Sequence, residues 1–295
     1  MNPAPAIGVQ NTLEKLFSFL VSKNEKSPPH LHLVPDPDIG FLKNPFHELC
    51  DPELFYDGGQ HARIYQSLQQ FVGAHLSLGT LTGEVGLGKT MLQRTLANHI
   101  DPQQYCISQV IALSKMSPGA LLKAILHGFG YRIQIIEKRH AVADLFKVLE
   151  DFSERLQACH KHLLIFIDEA HLLSPEALKL VKSITCLEST QQKLASVILF
   201  GEPSLDSRIE HEVFESLKSR IYLAEKLVPL CEGEIRQYIN HRLRCAGYSS
   251  NLFHGEEINQ LVLNGRGNCR EINKLAFALF KGKSYDELTR SSREH

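Results

Sequence analysis

Apolar positions fall into two rhythms along the chain. Short continuous apolar runs predict buried strands, and stretches of three-to-four spacing between them predict helices. From His61, the positions Ala62, Ile64, Leu68, Phe71 and Val72 keep helical spacing. Leu76 to Leu81 reads as a strand, and Met91 to Ile100 as the helix after it. Gln104 to Leu113, with Val110 and Ile111, predicts a second strand. Ser117 caps a helix over Gly119 to Phe129, with Pro118 at its first position. His140 to His160 predicts a long helix, and Leu163 to Ile167 a strand buried on both faces. A helix from Pro175 to about Leu187, a buried strand from Leu194 to Phe200 and a last strand from Ile221 to Leu223 follow. Strands separated by helices imply α/β architecture with a parallel sheet and right-handed crossovers.

The rhythm then changes. Glu232 to Ala246, Glu256 to Gly265 and Arg270 to Phe280 all read as helices, so a boundary is expected between Leu227 and Leu230. At the other end, Leu13 to Val21 predicts a short amphipathic helix, packed on its own domain or, as the competing reading, docking on a partner or membrane surface. Ser22 to Gly40, with Pro28, Pro29, Pro35 and Pro37, reads as a linker. The expected division is therefore an extension and linker over 1–40, an α/β core over 41–227, a small helical unit over 228–281 and a polar tail over 282–295.

Composition narrows the class. With 43% hydrophobic and 22% charged residues in 295, the chain is of ordinary globular make-up. A net charge of −1 gives no chain-wide basic footprint for nucleic acid, leaving only a local patch. The seven cysteines include no Cys-x-x-Cys pair, which argues against a disulfide framework or zinc site and suits a reducing cytoplasm. His30, His32, His160 and His162 are closely spaced, but no cysteine or carboxylate completes a metal set. Arg242 and Arg244 read as a solvated helix face, with contact to nucleic acid as the competing reading. No apolar run approaches the roughly 18–20 residues that span a bilayer. The first residues lack a signal-peptide layout.

The chemistry sits between the first strand and its helix. Gly83-Glu84-Val85-Gly86-Leu87-Gly88-Lys89-Thr90, followed by Met91, has the spacing of a phosphate-binding loop in the strand–loop–helix setting that loop requires. Its glycines let backbone N–H groups curl around anionic oxygens, and the following helix points its positive end at them. Lys89 would reach the β- and γ-phosphates of ATP, and the Thr90 hydroxyl would ligate Mg²⁺. Asp168-Glu169 ends a buried strand at the edge where open α/β sheets bind ligands. Asp168 would hold Mg²⁺, and Glu169 would polarise the attacking water. Glu202, in Gly201-Glu202-Pro203, would repel Glu169 and a polyphosphate unless a cation offsets them, and facing elsewhere is the competing reading. Arg220, before the last strand, is placed to complete a neighbouring subunit's site, with an ordinary surface arginine as the competing reading and Arg208 as a second candidate.

These residues carry a family resemblance. Leu81 to Thr90, Ile167 to Pro175 and Leu199 to Leu205 resemble the AAA+ ATPases of the ExeA type, the general secretion pathway protein A and MSHA-pilus biogenesis ATPases. Asn44-Pro45-Phe46 with Tyr56 and His61 resembles the opening of that domain, and Tyr238 to Gly247 its first lid helix. Gly267 to Asn273 resembles the later lid segment, where an arginine reaches back to the phosphates, which would make Arg270 that residue. The family usually has Gln where Glu202 stands. The first forty residues match none of the family's segments, and the transmembrane helix and peptidoglycan-binding region of the longer secretion members are missing from the sequence. The resemblance implies a parallel-sheet P-loop AAA+ core with a C-terminal helical lid and Mg·ATP between them. It further implies a homo-oligomer working as an assembly or regulatory factor with a secretion or type IV pilus envelope component. The expected place is cytoplasmic, or peripheral to the inner membrane. Its alternative is a transposition regulator of the TniB type, with duplex DNA as partner.

Overall fold

The computed structural model describes residues 44–130, 141–248 and 252–282. The N-terminal helix and linker expected before residue 41, and nearly all of the expected tail, lie outside them. The chain builds α1 (Gly59–Gly73), β1 (Leu78–Gly83), α2 (Lys89–His99), β2 (Tyr105–Ile111), α3 (Pro118–Gly128), α4 (Val142–Ala158) and β3 (His162–Asp168). It continues through α5 (Pro175–Ile184), β4 (Ala195–Gly201), α6 (Ser204–Ile209), α7 (Glu215–Lys218) and β5 (Ile221–Leu227), then α8 (Glu232–Cys245), α9 (Gly255–Gly265) and α10 (Cys269–Lys281).

The five strands form one parallel sheet in the order β2-β3-β4-β1-β5. β3 and β4 lie inside it and are buried along their whole length, which is why Leu163 to Ile167 and Val197 to Phe200 are continuous apolar runs. One face carries Leu163, Ile165, Ile167, Val197 and Leu199 into a core with α3, α4 and α5. The other face carries Leu164, Phe166, Ile198 and Phe200 against α1 and α2. Caps fix the helix starts. Ser117 Oγ accepts from the Ala120 N–H and Ser174 Oγ from the Ala177 N–H, each followed by a proline.

Two strand ends differ from the sequence reading. β1 runs to Gly83 rather than Leu81, because Thr82 pairs with both Gly201 and Lys226 and Gly83 with Leu227. β5 runs to Leu227 rather than Leu223. It is an edge strand whose Tyr222, Ala224 and Lys226 face outward, so its second half lacks an apolar signal.

The helices α8 to α10 form a separate cluster around Ile239, Leu243, Leu261, Ile272 and Phe280. Phe46 and Tyr56, from the segment before α1, also pack into this cluster. Arg242 corrects the solvated-face reading. It is 1% exposed, and its Nε donates to Pro45 O at 2.6 Å, because residues 44–46 cover that face of α8. Arg244 is exposed, as read.

His162, once weighed as a metal ligand, stacks flat on His75 at 4.2 Å and lies 2.8 Å from Ser196 Oγ. Burial, and then the neighbouring His75, push its pKa from 6.5 down to about 3. Above pH 6.5 the ring is neutral in folded and unfolded chains alike. Below it the unfolded chain takes up a proton that the folded chain refuses until about pH 3, so stability falls over that window. The expected loss is about 2 kcal/mol between pH 6.5 and pH 5. Chemical denaturation of His162→Gln across that range should show a shallower decline than the parent.

Candidate nucleotide site

Three chain segments meet at the C-terminal edge of the sheet: the turn after β1, the end of β3 and the end of β4. β1 delivers Gly83, and the turn to α2 needs positive φ at Gly86 (86°) and Gly88 (104°). Gly88 is the N-cap of α2, which makes Lys89 the first helical residue, two before the expected start. The free N–H groups of that first turn therefore open onto the strand edge.

Lys89 is 7% exposed, and its Nζ donates to Gly83 O at 2.7 Å and Glu84 O at 2.9 Å. Burial lowers its pKa, while the carboxylates of Glu169, Asp168, Glu202 and Glu84 oppose that shift. Thr90 Oγ1 donates to Asp168 Oδ2 at 3.0 Å, and the other oxygen of Asp168 accepts the Glu169 N–H at 2.9 Å. A hydroxyl and a carboxylate brought together at a strand end form an all-oxygen donor pair that suits a hard cation such as Mg²⁺.

Glu169 adopts φ 54°, a left-handed conformation uncommon for a residue with a Cβ. Its surroundings impose that conformation. The turn Ala170–Leu172 follows directly, and Arg208 donates to His171 O at 2.6 Å and Leu173 O at 2.8 Å. Arg208, the second candidate for a neighbour's site, is thus committed to carbonyls of its own chain.

Glu202 lies close to Glu169, although it is not among the residues that line the cleft beside Lys89. His171 lies between them, with Nδ1 3.5 Å from Glu169 and Nε2 3.6 Å from Glu202. The Glu202 N–H also approaches His171 Nδ1 at 3.3 Å. The imidazole stands between the two carboxylates whose repulsion was expected, a role for His171 that no local motif signals. Ligand atoms of the three residues lie within 4.8 Å of one another, but the side chains are partly exposed and we assign no ion to them.

Arg220 sits at the opposite edge of the sheet. Ile221 pairs with Leu78 at the start of β1, a strand length of about 20 Å from the loop at its end. It therefore cannot serve its own site. Arg270 does reach the site, at the first turn of α10, where its backbone N–H donates to Gly86 O at 3.1 Å.

Between these groups opens a cleft lined by Lys89, Thr90, Glu169 and Arg270, with Cys50, Tyr56, Tyr238 and Cys269 also in its wall. Tyr56 meets Tyr238 edge-on at 5.6 Å. Burial raises the Tyr238 pKa and pushes the Cys269 thiol up to about 12, so these two side chains are uncharged, and the Arg242 guanidinium lies beside them, 5.8 Å from the Tyr238 ring. Sequence reasoning assigned no role to this wall, which is assembled from the segment before α1 and from the lid. The wall's only sequence trace was the family resemblance of both segments. His61 lies under the loop, with Nε2 2.9 Å from Leu87 O, so that nitrogen carries the proton, and burial lowers its pKa.

Residues 74–209 match the family described as AAA domain. The General secretion pathway protein A of Aeromonas hydrophila is 28% identical over 235 residues, which are 80% of this chain and 42% of that protein. The chain thus spans less than half the length of that relative. The Aeropyrum pernix ORC2 protein, solved as ADPNP–ADP complexes, superposes with a TM-score of 0.59 at 17% identity over 86% of this chain and 72% of that one. The Aeropyrum pernix ORC1 protein in complex with DNA gives 0.57 at 17%, over 80% and 64%. At these identities the structural likeness establishes the fold alone, a parallel sheet flanked by helices with a helical C-terminal part.

Proposed function

We propose that this chain, which carries an AAA domain and resembles the ExeA-type ATPases, binds and hydrolyses Mg·ATP in the cleft between core and lid. The observation that supports this most is the Thr90–Asp168 contact. It joins the end of the phosphate loop to the end of β3 with Lys89 and Glu169 beside it. The loop N–H groups and Lys89 would bind the phosphates. Thr90 and Asp168 would hold Mg²⁺, which supplies positive charge to the β- and γ-oxygens. The aromatic rings of Tyr56 and Tyr238, with Cys50 beside them, would take the base. Glu169 would accept a proton from the attacking water, oriented by the backbone that Arg208 holds. Arg270 would close over the phosphates from the lid. Titration with ATP, with and without Mg²⁺, tests the binding step.

Arg220 would act on a neighbouring subunit, which makes the working form a homo-oligomer. Arg220→Ala is expected to leave ATP binding intact and to reduce turnover by about 10³-fold, but only in the part that rises with protein concentration. A turnover per subunit that does not change with concentration in the parent would remove this role.

The service performed is, on this reading, assembly or regulation of a secretion or type IV pilus machine, with the chain in the cytoplasm or peripheral to the inner membrane. The relative found by sequence supports this over a transposition regulator acting on duplex DNA. Among the described residues no helix is long and apolar enough to cross a membrane. Affinity capture from cells tests the assignment. Recovery of envelope components is expected, and recovery of a transposase with DNA would reverse it.

A further inference from the structure

In a loop that turns its N–H groups inward to a phosphate, the carbonyls turn outward and need partners of their own. Here each carbonyl from Gly83 to Leu87 has one. Lys89 serves the first two. Val85 O accepts from Asn268 Nδ2 at 2.7 Å and Gly86 O from the Arg270 N–H at 3.1 Å. Leu87 O is met by His61 and, at 3.8 Å, by Cys269 Sγ. Three consecutive lid residues thus bond three consecutive loop residues. The approach is close: a Cβ on Gly86 would lie 2.3 Å from Asn268 Oδ1.

We propose that Asn268 is a positioning residue that latches the lid onto the outward carbonyls of the phosphate loop, so that lid closure and loop geometry change together. The inference rests on the nucleotide reading above and adds how the lid senses the loop.

Asn268 does two jobs at once. Its Oδ1 accepts from the Arg270 and Glu271 N–H groups and caps α10. Its Nδ2 crosses to Val85 O. Asn, Asp and Ser are comparable as caps, so the cap alone does not select Asn. Of the three, only Asn extends an amide N–H beyond the cap, and that group makes the contact to the loop. Opening the lid would strip Val85 O and Gly86 O of their partners. A nucleotide that holds the loop therefore favours the closed lid, and the closed lid in turn holds the loop for the nucleotide.

Asn268→Ser separates the two jobs, because serine keeps the cap and adds no charge near the phosphates. The probe is a fluorescent methylanthraniloyl ATP with Mg²⁺, displaced by excess ATP in stopped flow, with thermal melting alongside. The expected result is about fivefold faster dissociation from Asn268→Ser, the cost of one lost hydrogen bond. Asn268→Ala should dissociate as fast and also melt earlier through loss of the cap. Dissociation from Asn268→Ser at the parental rate would overturn the latch and leave the nucleotide site standing. Failure of the parent itself to bind the probe would overturn the nucleotide reading, and the latch with it.

Discussion

Lys89→Ala is expected to abolish ATP binding at any concentration the parent needs for saturation. The ammonium is nearly buried, and its bonds to Gly83 O and Glu84 O place it at the centre of the loop's curve. A triphosphate would meet it there as a charge-assisted partner in a site screened from water. Hydrogen bonds to charged groups contribute about 1.5–3 kcal/mol each, so losing two raises Kd by about 10²-fold or more. The substitution also removes two partners from loop carbonyls, and the empty loop should lose definition as well as charge. Isothermal titration checks the affinity. Melting checks that the sheet, whose strands do not depend on Lys89, remains folded. Binding within a factor of three of the parent would contradict the site.

Glu169→Gln should produce the opposite split, with binding retained and turnover lost. Glu169 lies beside the cleft in a strained backbone conformation, held by the Ala170–Leu172 turn and the two Arg208 bonds. An amide fills the same space but cannot accept the water's proton. Loss of a general base typically removes about 10²–10⁴-fold in rate. The neutral amide also relieves repulsion of the polyphosphate, so affinity should hold or improve. Comparing single-turnover phosphate release with the binding isotherm separates the two effects.

Much of this arrangement could be read in the residues. The phosphate loop, the apolar run ending in Asp168-Glu169 and the three lid helices are local signals, each set by spacing along one short segment. The continuous apolar runs within β3 and β4 declared a sheet covered on both faces. What escaped the sequence was set by contact between distant segments. Arg242 looks like one more polar residue on an amphipathic helix, and only the packing of Pro45 and Phe46 over α8 buries it. His171 gains its place between Glu169 and Glu202 because β3 and β4 are neighbours in the sheet. The Asn268 bond to Val85 O joins residues far apart in sequence, and spacing along either segment carries no sign of it. The second half of β5 was missed because an edge strand needs no apolar outer face.

The most direct test of the central claim is phosphate release from ATP by the purified chain, in Mg²⁺ and in EDTA, with Glu169→Gln measured beside it. Steady Mg²⁺-dependent release by the parent and near-background release by the variant is the expected result. Equal release by the two proteins, or release unaffected by EDTA, would contradict the account.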